Sequence, residues 1–155
     1  MNVQTFQQQT TVSIPFPTRW GILGDIAGRP LIRGFLTIDS ITNGNLTGTV
    51  NFRGVPLPIT GIWNESTNQI TFDSPYATFS GQLSIFDETV ISLRRFILTG
   101  NFLMKPPSLQ AGEFGTWVAL TDTIRTGPPQ YTSTVPTAAL FILSDLLYGT
   151  SQTFR

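Results

Sequence analysis

From Leu31 to Thr121 the chain alternates apolar and polar residues at strand spacing, and glycine keeps interrupting the apolar series. One phrase recurs: apolar residue, spacer, glycine, spacer, apolar residue. It reads Ile32-Arg-Gly-Phe-Leu36, Leu46-Thr-Gly-Thr-Val50, Ile59-Thr-Gly-Ile-Trp63, Phe79-Ser-Gly-Gln-Leu83 and Leu98-Thr-Gly-Asn-Phe102, with a degenerate copy at Glu113-Phe-Gly-Thr-Trp117. In a strand the glycine and both apolar flanks face the same way. Each copy therefore predicts a strand whose core face is bare at its middle. Glycine weakens a strand interior, so its repetition fits a barrel bend or the close approach of another group.

Turn signals separate these strands. Asn43-Gly44 predicts a tight hairpin. Gly54-Val55 suits a two-residue loop, which sets Phe52 opposite Leu57, Val50 opposite Ile59, Gly48 opposite Gly61 and Leu46 opposite Trp63. A loop at Glu65–Asn68 then sets Trp63 opposite Ile70 and Gly61 opposite Phe72. The turn Ser74-Pro-Tyr-Ala77 sets Phe72 opposite Phe79. Every core-face pair is apolar or glycine, which supports one continuous register. Trp20 to Pro30, with Gly21, Gly24 and Gly28, matches no phosphate-binding spacing and reads as a loop or an irregular strand.

The opposite face carries Thr47, Thr49, Asn51 and Arg53, then Thr78, Ser80, Gln82 and Ser84, and reads as wet. The pattern changes at Phe96–Met104, where Ile97 and Leu103 lie away from the glycine face, and at Phe114–Leu120, which is apolar on both sides. Strands apolar on both faces are covered on both. The stretch 137–148 follows Pro136, precedes Gly149, and carries Ala138, Ala139, Leu140, Leu143, Leu146 and Leu147. It is a candidate cover, as a helix or as a hydrophobic strand, on its own subunit or a neighbour's. Residues 1–17 read as an extended Gln/Thr-rich arm or edge strand ended by Pro15 and Pro17. The organisation is then one domain: the arm, a barrel over 18–122, and a Pro/Thr-rich connection with a covering segment over 123–155. The fold class is all-β, a single antiparallel barrel or strongly curled sheet of about eight strands.

Composition narrows function by removing chemistry. The 155 residues carry no cysteine and no histidine, which excludes disulfides, thiolate chemistry, imidazole acid–base catalysis and most zinc or copper sites. Charged residues make up 12%, about half the usual share, and the net charge is zero with Lys105 the single lysine. No basic patch exists to hold nucleic acid, and little charge opposes self-association. The longest apolar run, Ala138–Leu143, is too short to span a bilayer. The first residues carry neither positive charge nor an apolar core, so no secretory signal is expected. The expected setting is synthesis in the cytoplasm, followed by release into, or incorporation in, an assembled surface or particle.

The cadence of Leu46-Thr-Gly-Thr-Val50 and Phe79-Ser-Gly-Gln-Leu83 is similar to that of avidins and their calycin relatives. The likeness is confined to such phrases and brings no ligand-binding set with it. It implies a barrel of that size and no site.

Three readings follow, and none is enzymatic; neither a catalytic residue, a metal nor a cofactor is assigned. The first is a homo-oligomeric building block of a coat, appendage or particle, with Phe6, Val12, Ile14, Ile97, Leu103, Leu140, Leu143 and Leu147 as interface candidates. The second is a barrel binding a small apolar molecule, with Trp63, Trp117, Phe79 and Phe102 around a cavity and Glu113 pointing inward at its rim. Glu113 would orient the ligand, pair with Arg94 or Arg95, or stay solvated. The third is a carbohydrate module stacking a glycan on Trp20 or Tyr76. Arg94 and Arg95 face opposite ways in a strand, so the doublet predicts cross-strand ion pairs, not one binding site.

Overall fold

The computed structural model describes residues 12–124, and these form a closed eight-stranded antiparallel barrel. The strands are β1 (Thr18–Asp25), β2 (Ile32–Thr42), β3 (Asn45–Asn51), β4 (Leu57–Asn64), β5 (Gln69–Asp73), β6 (Ala77–Glu88), β7 (Leu93–Met104) and β8 (Phe114–Ile124). Each pairs with its neighbour in sequence, and β8 closes the wall on β1 through Gly21 opposite Leu120 and Gly24 opposite Trp117. Eight strands give an interior that side chains can fill. The chain enters β1 and leaves β8 at one pole, with the turns at 43–44, 65–68 and 89–92. The far pole carries the turns at 26–31, 52–56, 74–76 and 105–113. No helix occurs among the described residues. The candidate cover at 137–148 lies outside them, as do Phe6, Leu140, Leu143 and Leu147.

The stretch expected as a loop or irregular strand, Trp20–Pro30, is regular strand up to Asp25. Pairing on both sides overrides its weak intrinsic preference: Trp20 and Ile22 are fully buried, and Gly21 and Gly24 sit in the ladder to β8.

The turns explain which registers are as expected. Asn43 and Gly44 both have positive φ, 52° and 79°, as the tight hairpin turn demands. Trp63 lies opposite Ile70, Gly61 opposite Phe72, and Phe72 opposite Phe79, all as anticipated. The β3–β4 pairing differs by two residues. Val50 faces Leu57, Gly48 faces Ile59 and Leu46 faces Gly61, so Gly48 does not oppose Gly61. The Asn51 side chain accepts the Gly54 N–H at 2.7 Å, and Gly54 adopts φ 87°. Asn at the first position and Gly at the fourth make a wider turn than a glycine-first two-residue loop. A slip of two preserves every side-chain direction, so the inward set is unchanged.

The directly opposed glycine pair is Gly81 and Gly100, on β6 and β7. A methyl group on Gly100 would overlap the Ser80 carbonyl oxygen, and one on Gly81 would stand 2.7 Å from the Trp117 ring. The Trp117 indole lies over this bare patch, and its N–H donates to the carbonyls of Ser80 and Asn101 at 3.0 and 3.1 Å. An aromatic ring thus replaces the missing side chains and satisfies its own donor on the exposed wall. On β2 a bulge between Ile38 and Ser40 adds a further bend.

Inward residues from all eight strands join one core, and Ile14, ahead of β1, joins it too. Ile14 is thus buried within its own chain, and the partly buried Val12 packs against the same core. The core also admits one ion pair. Arg94 on β7 faces Asp87 on β6, with Nε to Oδ1 at 2.9 Å and Nη2 to Oδ2 at 3.1 Å, and both side chains are buried.

Candidate functional site

The rings proposed to line a cavity pack against one another. Phe72 and Phe79 stack at 4.6 Å between centroids, Phe79 and Phe102 stand 5.5 Å apart, and Trp117 meets Phe72 and Phe79 edge-on at 5.6 and 5.8 Å. These are contact spacings for aromatic pairs, so no ligand fits between these rings. Trp63 is buried apart from that cluster. Its indole N–H donates to Glu65 at 2.6 Å, and Glu65 also accepts the Ser13 hydroxyl at 2.7 Å. The carboxylate of the 65–68 turn thus ties the incoming chain to the β4–β5 hairpin.

Glu113 does not point inward and meets neither Arg94 nor Arg95. It sits just before β8 at the far pole, half-exposed, in a two-pronged pair with Arg29 at 3.1 and 2.8 Å. The partner was unreadable in sequence because 84 positions separate the two. Together with Ile26, Ala27, Gly28, Gly112 and Phe114 they line a shallow cleft on the surface. An exposed pair of this kind contributes little to stability.

Arg94 and Arg95 split as strand alternation requires: Arg94 inward to Asp87, Arg95 outward to Asp122 at 2.9 Å across β7–β8. Trp20, offered as a glycan platform, is fully buried, and its N–H donates to the Thr18 hydroxyl at 3.2 Å. Its aromatic neighbour Phe96 lies edge-on at 6.4 Å. Among the described residues no group of three or more Asp or Glu is placed to hold a metal ion, and no helix is long and apolar enough to cross a membrane.

One carboxylate has a shifted acidity. Asp73, at the end of β5, accepts the Thr78 hydroxyl and the Lys105 ammonium, the latter at 3.0 Å. The Thr78 bond first, then Lys105, holds its pKa below the ordinary 3.8. A carboxyl depressed in the folded state stabilises that state above pH 3.8, and the contribution is lost as pH falls through the folded value. Thr78→Val keeps the branched shape and removes the bond. It is expected to move the Asp73 midpoint up towards 3.8, read from its carboxyl carbon shift. An unmoved midpoint contradicts the assignment. The carboxylate is largely solvated, so the effect on overall stability is small.

The outer wall is not uniform. Thr47, Thr60, Thr71 and Ser80 are exposed, as outward residues of a single layer should be. Leu103 and Phe114, neighbours across β7–β8, also face outward and are exposed by 49% and 73%. Nearer the entry pole the outward Ile97 and Leu120 are buried to 1% and 2% exposure. The two strands singled out for apolar outer faces therefore carry two different surfaces, one covered and one open. Leu23 was missed as a buried outward residue because a single apolar residue in a glycine-rich strand does not declare a face, and Ser84, expected on the wet face, is also buried, at 4% exposure.

Comparison with known proteins brings no further constraint: no family model, curated protein or solved structure matches the chain.

Proposed function

We propose that this chain is a non-enzymatic building block that self-associates through its barrel wall, in a coat, an appendage or a particle. The observation that carries the reading is the open apolar patch of Leu103 and Phe114. Tyr76, 41% exposed, adjoins it, since its carbonyl accepts the Lys105 N–H at 2.9 Å, and the exposed Leu109 stands on the 105–113 loop. Exposed contiguous apolar side chains on a folded wall mark an interaction surface.

The partner that fits is a second copy. Both signs of charge rim the patch, as the Lys105–Asp73 and Arg29–Glu113 pairs. A two-fold copy can set each positive group against a negative one. Zero net charge removes the long-range barrier to that approach. The interior aromatic rings favour this reading over a ligand-binding barrel, because they are in contact with one another.

Sedimentation velocity over a dilution series is the test. The full chain is expected to assemble with concentration, and Leu103→Asp with Phe114→Asp to raise the midpoint at least about tenfold, a loss of about 1.4 kcal/mol. The melting temperature should hold, since both side chains are exposed. A full chain that stays monomeric at high concentration overturns the proposal, as does a double variant that assembles like the parent.

A further inference from the structure

We infer that the cleft at the far pole receives the Phe114 ring of a second copy, so that two barrels exchange rings across a two-fold axis. The inference rests on the self-association proposed above and names the seat of the contact. The cleft holds about 510 Å³, within the range of sites that take a small organic group. Its floor is bare: a methyl group on Gly28 or Gly112 would meet nothing within 4 Å. Ile26 and Ala27 give it an apolar side, and Arg29 and Glu113 a charged one.

Phe114 stands at the edge of this cleft, yet it is 73% exposed, so it does not fill the cleft of its own chain. A knob beside a hole on one surface is self-complementary, because a two-fold rotation sets each knob over the other copy's hole. Two rings bury about 300–500 Å², and a stable interface needs about 1,200 Å². The contact therefore runs on over Leu103, opposite Phe114 on β7, and over the 105–113 loop, where Leu109 is exposed. A contact of this symmetry closes at two copies, which makes a dimer the unit from which a larger particle is built.

The charges follow from the same symmetry. Glu113 precedes the ring in sequence, so a ring seated in the other copy's cleft brings its own Glu113 to that cleft's Arg29. Within one copy the Arg29 Nε and Nη2 donate to the two Glu113 oxygens at 3.1 and 2.8 Å. These bonds use two of the five guanidinium N–H groups and leave acceptor sites on both oxygens. The second copy's carboxylate takes the remaining donors, and four charges alternate around the axis. Worth little in water, the pair selects its partner once it is desolvated between two barrels.

Charge reversal in the full chain tests the crossing. Arg29→Glu alone and Glu113→Arg alone each set like charges across the axis. Each is expected to raise the dissociation constant at least about tenfold in sedimentation velocity. The double variant Arg29→Glu with Glu113→Arg should associate like the parent, and so should an equimolar mixture of the two single variants. Thr60→Glu with Thr71→Glu makes the same net change as Arg29→Glu, at exposed positions on β4 and β5, and should leave association unchanged. An isotope-filtered spectrum of labelled chains mixed with unlabelled ones is expected to show the Ala27 methyl of one copy against the Phe114 ring of the other. Single variants that associate like the parent overturn the inference. So does an equal weakening by Thr60→Glu with Thr71→Glu, since net charge then accounts for the loss. So does an associated parent with no contact between Ala27 and Phe114 of different copies. In each of these cases, weakened association of Leu103→Asp with Phe114→Asp still upholds the broader reading. A full chain that stays monomeric overturns both.

Discussion

Gly100→Ala is expected to destabilise the barrel by about 3 kcal/mol, lowering the melting temperature by about 10 °C. The added methyl group has nowhere to go. Its nearest neighbours are the Ser80 carbonyl and the Gly81 backbone, which belong to the adjoining strand and cannot rotate aside. The wall must open at β6–β7, where Trp117 makes both of its hydrogen bonds. A change in tryptophan emission should therefore accompany the loss. Gly54→Ala is the control. Its methyl would meet open space, so only the positive φ penalises it, by about 1 kcal/mol. Equal melting temperatures for the two variants would remove the close-approach account of the glycine phrase.

Asp87→Ala carries the second large effect, a loss of about 4 kcal/mol in urea unfolding. The Arg94 guanidinium would keep its place inside the wall without its carboxylate, and side chains at 5% and 0% exposure leave water little access to replace it. Asp87→Leu with Arg94→Met should recover most of that loss, because an apolar pair of similar volume carries no desolvation penalty. A single variant with an unchanged midpoint contradicts the account. A double variant worse than the sum of the singles contradicts it equally.

These two sites were differently legible in the sequence. The glycine phrase announced inward bare spots, and alternation correctly separated Arg94 from Arg95. The hairpins at 43–44, 65–68 and 74–77 set their own registers through local turn chemistry, so residue order sufficed. The β3–β4 register failed because one Asn51 side chain decides between two turns that glycine serves equally well. The β1 strand was obscured by Gly21 and Gly24, whose place in the sheet depends on β8, about a hundred residues later. The same separation hid Arg29 as the partner of Glu113. The candidate site suffered most. Trp63, Trp117, Phe79 and Phe102 face inward as read, but alternation reports direction and says nothing of whether rings meet across the barrel.

Closure on β1 has a consequence for how the molecule is made. Every pairing but one joins strands adjacent in sequence, and hairpins of that kind form within about 1–10 μs. The β1–β8 seam must wait for the whole meander and bears the largest loop entropy. Until it shuts, the nascent chain is an open ribbon with two unsatisfied borders, each a template for the complementary border of another molecule. Whether two such ribbons shut separately or zip into each other is then a contest between intramolecular speed and crowding at synthesis. The completed cylinder erases that choice, because it has no border left to offer.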